Sequence, residues 1–258
     1  MAATQGQTKD IRITSKKRVK ILKYVSPPKQ LLELENIPLT SPVSDEVLAF
    51  LSKGKLKDAS RTLKSEPASA KSLHLSREIQ RILAGKKGKG LSTHTVNQNM
   101  GVAYHNLFLL LKRGGVFQKS FFKKGLRYYK KALKTDSISE KTETVVLTAS
   151  LLAAGGETKK AEKLFSETDI GLLDKDFKSY EYLASYYAAA NDTFRAVETL
   201  KEAFKLRPEQ TMIWIAISDD FYQIDQSEEF KAMQKEFASA GEQKKAKSKK
   251  KKKVLRKK

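Results

Sequence analysis

Cysteine is absent from this chain of 258 residues. Disulfides, thiolate catalysis and cysteine-ligated zinc are therefore excluded. Long apolar runs are also absent, since stretches such as Leu107–Leu111 fall far short of the roughly 18 residues that a membrane-spanning helix needs. The N-terminal sequence lacks the apolar core of a secretory signal. These absences predict a cytoplasmic protein, while the lysine-rich tail leaves a nuclear location open and the basic, hydroxyl-rich start an organellar one.

Acidic residues are missing from one long stretch. Between Ile79 and Thr135 there are thirteen Lys or Arg and no Asp or Glu, whereas residues 136–240 carry twelve basic and twenty acidic residues. Residues 1–30 carry eight basic and one acidic residue, and residues 241–258 carry eleven and one. Because runs of like charge bury too little apolar surface to fold, both ends are predicted to be disordered. The folded body is predicted to be positive in the middle and negative toward the C-terminus.

Large, small and turn-forming residues recur with a period of about 34. The fullest series is Tyr180, Tyr187, Asn191, Ala196, Leu200 and Pro208, and Trp214 and Phe221 follow its two tyrosines by 34 residues each. Val145, Leu152, Gly156, Ala161 and Phe165 repeat it one period earlier, and Phe50, Gly54, Ala59 and Leu63 match its second half nearer the start. A period of this length predicts stacked helical pairs, in which the small residue allows two helices to approach closely.

This pattern resembles the tetratricopeptide repeat, a family of helical-hairpin repeats. The resemblance implies an all-α fold whose hairpins form a short right-handed solenoid, and it implies a binding scaffold without an active site. The chain departs from the family pattern at Thr148, Thr168 and Phe230. The alternative is an ordinary helical bundle in which the aromatic residues serve only to pack the core.

Composition and periodicity divide the chain into five parts. They are a basic irregular arm at 1–25, a helical region with one repeat at 26–84, a basic loop and long helical pair at 85–135, acidic repeats at 136–240 and a lysine-rich tail at 241–258. Helices are predicted from Ser26, over 45–51, 55–64 and 70–83, from Ser92 or Thr93 to Leu111, and over 117–133, with helical pairs at 143–164, 177–206 and 212–238. Pro38 and Pro42 predict a turn at 37–42.

The strongest candidate for a contact surface is the helix that ends the acid-free stretch. At about 100° per residue, its predicted core face is formed by Phe122, Leu126, Tyr129 and Leu133. A second face carries the candidate polyanion-binding residues Lys123, Arg127, Lys130 and Lys134, with Tyr128 toward its boundary. Such a row matches the spacing of a nucleic-acid backbone or of an acidic protein helix, and an ordinary solvated face is the alternative.

The loop Gly85–Gly90, with sequence GKKGKG, supplies three further candidate polyanion-binding residues, Lys86, Lys87 and Lys89. Its glycines expose backbone N–H groups, and the helix that follows adds a partial positive charge. It is not a P-loop, because no Ser or Thr follows a Gly-Lys pair and no strand precedes it. A flexible basic turn without a ligand is the alternative.

The resemblance also implies a peptide groove lined by the first helix of each pair. The candidate groove residues are Tyr180, Glu181, Ser185 and Trp214. The family's clamp for terminal carboxylates needs Lys and Asn, and this chain has Glu181 and Ser185 at the corresponding positions. The clamp is therefore not expected, and an acidic groove would favour a basic peptide.

No pattern of catalytic residues or metal ligands stands out. His74, His94 and His105 are too far apart in sequence to form a helical metal pair, and we interpret them as packing or surface residues. A bound cation would explain the cluster of Asp219, Asp220 and Asp225, but helix capping and turn formation explain it equally well. We expect no cofactor, no metal and no enzymatic activity.

The sequence favours a non-enzymatic helical-repeat adaptor that binds proteins through the acidic C-terminal repeats and has a positively charged N-terminal half. The alternative is an RNA-binding or ribosome-associated factor in which the basic middle and ends provide the affinity and the repeats serve as a frame. An enzyme with an unrecognised site is a third and weaker alternative.

Overall fold

The computed structural model describes residue 38 and the ranges 42–85 and 90–239. The arm at 1–25, the helix predicted from Ser26, most of the turn at 37–42, the lysines of the GKKGKG loop and the tail at 241–258 lie outside these residues. All regular structure within the described ranges is helical, with no strand. The predicted all-α class is confirmed for this part of the chain.

The helices follow the predicted order closely. The first five are α1 (Asp45–Ser52), α2 (Leu56–Ser65), α3 (Ala70–Ala84), α4 (Thr93–Arg113) and α5 (Lys119–Ala132). The next are α6 (Ile138–Ala154), α7 (Thr158–Ser166), a 3₁₀ turn (Ile170–Leu172), α8 (Phe177–Ala189) and α9 (Thr193–Leu206). Then come α10 (Pro208–Ile217) and α11 at 228–239.

Local sequence explains where most of these helices begin and end. Ser69 and Ser72 form a reciprocal capping box at the start of α3, and the Asp176 side chain accepts a hydrogen bond from the Ser179 backbone N–H at the start of α8. The predicted turn residues Gly54, Gly156 and Asn191 adopt positive φ values of 71°, 84° and 60°. Glycine and asparagine tolerate this left-handed backbone, so the chain turns between α1 and α2, α6 and α7, and α8 and α9.

Two predicted helix starts are wrong by several residues. The pair predicted from 143 begins at Ile138, and the pair predicted from 212 begins at Pro208. Proline fits the first position of a helix because its missing N–H has no partner there and its φ is already helical.

The described residues form two compact units. The first contains α1 to α5 together with Ile213–Asp219. Helix α4 packs along α5 and also contacts α3 and α1, and α3 contacts α2 as well. The closest approach is between Gly101 of α4 and Tyr129 of α5: a Cβ at Gly101 would lie 2.4 Å from two ring carbons of Tyr129. Helix α5 is therefore held against α4 by a contact that only glycine permits.

The second unit contains Ser137–Met212 and the described residues from Asp220 onward. Helix α6 packs against α7 and α8, and α8 packs against α9. Ala161 of α7 and Ala196 of α9, the small residues of the 34-residue pattern, are 1% and 0% exposed. The rings of Phe165 and Tyr186 stack with centroids 3.8 Å apart. The small side chains thus lie inside the packed unit, where no added volume can be directed to solvent.

Candidate functional site

Helix α5 has a basic face, which we define as Lys119, Lys123, Arg127, Lys130 and Lys134. All five side chains are exposed, Lys134 lying just beyond the end of the helix. The four cations predicted from the sequence are therefore confirmed as surface residues. Lys119 was not predicted as a member of this row, although it precedes Lys123 by one helical turn and continues the same face of the helix. Lys86, Lys87 and Lys89 lie outside the described residues.

Packing determines which way the basic face points. On the other side of α5, Phe121, Phe122 and Tyr129 are 1%, 6% and 0% exposed. Leu126 and Leu133, which the sequence placed on the core face, are only half-buried. Rotation of α5 about its axis would expose the large aromatic side chains, at a cost of about 1.5–3 kcal/mol each. The cations are thus held toward solvent by the core beneath them.

The basic face is not neutralised within the described residues. Neither α4 nor α5 contains an acidic residue. Lys119, Lys123, Lys130 and Lys134 form no ion pair with any described residue, and the Arg127 guanidinium lies 5.5 Å from the ring centroid of Tyr128. Like charges at neighbouring positions of a helix repel one another, so the arrangement weakens the isolated helix by several tenths of a kcal/mol.

Tyr128 lies between Arg127 of the basic face and helix α4. Its ring stacks on that of Tyr104 from α4, with centroids 5.7 Å apart and an angle of 13° between planes. The Lys131 ammonium lies 5.3 Å from the Tyr128 ring centroid, and the Lys124 ammonium lies 5.5 Å from that of Tyr104. Burial, followed by the neighbouring Tyr128 hydroxyl, raises the pKa of Tyr104. The tyrosine pair therefore anchors α5 to α4 and gathers cations around itself.

The three histidines are packing residues, as expected. The His94 Nδ1–H donates a hydrogen bond of 2.9 Å to the Ala132 carbonyl oxygen, which ties α4 to the end of α5. His105 Nδ1 lies 3.3 Å from the Tyr129 hydroxyl oxygen, and burial lowers the pKa of His105 to about 3. Burial also lowers the pKa of His74. His74 and His105 are thus neutral at pH 7.

Asp219 belongs to an ion-pair cluster within the first unit. Its Oδ1 atom accepts hydrogen bonds from Lys71 Nζ at 2.8 Å and from an Arg113 guanidinium nitrogen at 3.1 Å. These partners explain its burial without a bound cation. Within the described ranges, no three His, Asp or Glu side chains come together as a potential metal-binding group.

The candidate groove residues have little exposed surface. Ser185 is buried and its hydroxyl donates to the Glu181 carbonyl oxygen at 2.9 Å, while Tyr180 and Glu181 are half-buried. Trp214 is 8% exposed and belongs to the first unit, whereas the other three residues belong to the second. A peptide would find little accessible surface on these four residues.

Glu181 also lacks the charge that the sequence suggested. Burial, and then repulsion from the carboxylates of Asp220 and Asp176, raises its pKa to about 8, although Arg207 and Lys178 oppose the shift. The carboxyl group is therefore mostly protonated at pH 7. An acidic groove that attracts a basic peptide would therefore lack the negative charge of Glu181 at pH 7.

Changing Glu181 to Gln tests this protonation state. The folded state keeps a proton that the unfolded chain releases above about pH 4.5, so the contribution of Glu181 to stability falls as the pH rises from 4.5 toward 8. We expect Glu181→Gln to raise the free energy of unfolding by about 1–3 kcal/mol at pH 8 and by much less at pH 5. Urea unfolding at both pH values measures the difference. Glu162→Gln, an exposed change on α7, is the control, and a Glu181 variant no more stable than wild type at pH 8 would refute the assignment.

No helix in the described ranges combines the length and the apolar character that crossing a membrane requires. In comparisons with known proteins, the chain matches no family model, no curated protein and no solved structure.

Proposed function

We propose that this chain is a non-enzymatic helical scaffold that binds RNA through the basic face of α5. The observation that carries the proposal is the row of five exposed cations on a helix whose opposite side is buried, with no acidic neighbour on α4 or α5. A clustered positive potential attracts a polyanion and releases its condensed counterions on binding. Among the functions considered, RNA binding makes the most direct use of this surface.

The spacing of the basic face suits a phosphate backbone. Successive cations lie three or four residues apart, which on a helix is about 5–6 Å between Cβ atoms. Lysine and arginine side chains then reach several neighbouring phosphates at once. Because the helix is held by its aromatic core, little conformational entropy of the backbone is lost when RNA binds.

Neutralising the basic face is expected to weaken RNA binding strongly while leaving the fold intact. In the four-glutamine variant, Lys123, Arg127, Lys130 and Lys134 are replaced together by Gln. These residues face water, so the free energy of unfolding should change by less than about 0.5 kcal/mol per site. The affinity for an RNA hairpin with single-stranded tails should fall at least about twentyfold near 0.1 M salt. Fluorescence anisotropy with labelled RNA measures the loss.

A matched control variant distinguishes the effect of the basic face on RNA affinity from the effect of lowering the net charge elsewhere on the protein. Lys141, Lys159, Lys175 and Lys235 are exposed lysines of the second unit, and replacing them with Gln removes the same formal charge. This control variant should lose less than about threefold in affinity. Equal losses in the two variants would show that α5 has no special role and would overturn the proposal.

We infer that the pairs α1–α2, α6–α7 and α8–α9 are hairpins of the tetratricopeptide type, arranged as a short solenoid. The support comes from the left-handed turn residues and from the buried small residue that follows each turn, Ala59, Ala161 or Ala196. We propose that this helical frame acts in the cytoplasm.

A protein-binding adaptor is the second candidate. The observation that favours it is exposed apolar surface in the second unit, where Phe194 is 72% and Leu172 47% exposed. A basic peptide no longer fits the predicted groove, so a partner would contact other residues. Affinity capture from native lysate with and without nuclease distinguishes the two functions: a partner retained after nuclease supports the adaptor, and partners lost with RNA support RNA binding.

A further inference from the structure

The exposed side of α5 contains no aromatic residue. Six exposed residues lie on an arc of about 100°, if each residue advances the helix by 100°. They are the five cations of the basic face and Ser120. A ligand on this arc therefore meets positive charge and one hydroxyl, with no flat apolar ring on which a base could stack.

The aromatic side chains near α5 lie away from this arc. Tyr128 is about 130° around the helix from the middle of the arc, and its ring is engaged by Tyr104, by the Lys131 ammonium and by the Arg127 guanidinium. Phe117, half-exposed in the loop before α5, packs edge-on against Phe108 and also contacts Phe122. Phe122 itself is buried and lies about 110° from the middle of the arc in the other direction. Arg127 is the member of the basic face that lies against the Tyr128 ring, and that ring is already engaged by Tyr104 and Lys131.

The lack of an unengaged aromatic ring on the exposed arc matters for the kind of RNA that binds. Proteins that hold single strands without sequence preference combine charge with aromatic platforms, and each stacked base contributes roughly five- to 150-fold in affinity. A surface that lacks such platforms keeps only the phosphate contacts. Those contacts are stronger on a double helix, because its phosphates are denser and release about 0.9 counterions each, against about 0.7 on a single strand.

We propose that the basic face binds the phosphate backbone of double-stranded RNA in preference to single-stranded RNA, without reading the bases. The inference rests on the proposed RNA-binding function and specifies its ligand. Phosphates of a duplex form a regular, rigid array, so a straight row of cations on a rigid helix meets it with little ordering cost on either side. The nucleotide sequence does not alter that array substantially.

The test compares RNAs of equal length with the full chain. The probes are a duplex of about 16 base pairs, which is the span of a known double-stranded RNA-binding domain, and single strands of adenosine only and of uridine only. Near 0.1 M salt the duplex should bind about fivefold more tightly than either single strand, and the two single strands should agree within about threefold. The four-glutamine variant should lose most of its affinity for all three.

Two further variants test base stacking directly. Tyr128→Leu and Phe117→Leu keep an apolar side chain and remove the ring, and unfolding midpoints show that each variant is folded. Single-strand affinity should change by less than about twofold in both, because stacking accounts for at least fivefold per base where it occurs. A larger loss in either variant would overturn the inference.

Failure of the inference and failure of the function give different results. Single strands that bind as tightly as the duplex, with affinity still lost in the four-glutamine variant, would overturn the duplex preference and leave RNA binding by α5 in place. Equal affinities of wild type and the four-glutamine variant for every probe would overturn the proposed function, and this inference with it.

Discussion

Replacing Gly101 with alanine should destabilise the first unit by about 1–2 kcal/mol. The added Cβ would lie 2.4 Å from the Cδ1 and Cε1 atoms of Tyr129, far inside van der Waals contact. Tyr129 is 0% exposed and its hydroxyl lies 3.3 Å from His105, so the ring has no free space to move into. An overlap this close should cost about 2–3 kcal/mol, toward the upper end of the usual range for overpacking, and the gain of about 1 kcal/mol from replacing glycine within a helix offsets only part of that cost.

A double-mutant cycle identifies the contact responsible. In a Tyr129→Leu background, the shorter and more flexible side chain can turn away, so Gly101→Ala should become neutral or slightly stabilising through helix propensity. Urea unfolding of the four proteins gives the coupling free energy, which we expect to exceed 1 kcal/mol. Additive effects would show that Gly101 and Tyr129 do not restrict each other.

Ala161→Leu and Ala196→Leu should each destabilise the second unit by about 1–3 kcal/mol. Ala161 and Ala196 are 1% and 0% exposed, and each lies five residues after a left-handed turn residue. Three added carbon atoms at either position would force α7 or α9 away from its neighbours or drive side chains from their preferred rotamers.

The matching control is Ala238→Leu on α11, because Ala238 is exposed and the added atoms would extend into water. Its free energy of unfolding should stay within about 0.5 kcal/mol of wild type. If Ala161→Leu or Ala196→Leu falls within the same margin, the proposed register of the helical hairpins is wrong.

Sequence periodicity predicted the helices well because it depends on local features. Apolar spacing and turn residues placed α1, α2 and α3 to within a residue or two, and the left-handed residues Gly54, Gly156 and Asn191 were anticipated. The exposure of the basic face was predictable for the same reason, since a lysine row opposite an aromatic row can only point to water. Pro208 was misjudged because proline both ends and begins helices.

Features that depend on which helix covers which face could not be predicted. Nothing near Gly101 in sequence indicates that a tyrosine 28 residues later will lie on its backbone. Likewise, the stacking of Tyr128 on Tyr104 could not be predicted, because Tyr104 lies on another helix. The protonation of Glu181 arises from burial and from Asp176 and Asp220, of which only Asp176 is close in sequence. Each of these depends on tertiary packing, which hydrophobic periodicity does not specify.

The salt dependence of RNA affinity tests the central claim most directly. The measurement is the slope of log affinity against log salt concentration for wild type and for the four-glutamine variant, with the RNA hairpin as ligand. If Lys123, Arg127, Lys130 and Lys134 contact phosphates, the variant's slope should be shallower by about 0.7–0.9 per contact, or by about 3 when all four contribute. Parallel lines of equal affinity would contradict RNA binding by the basic face of α5.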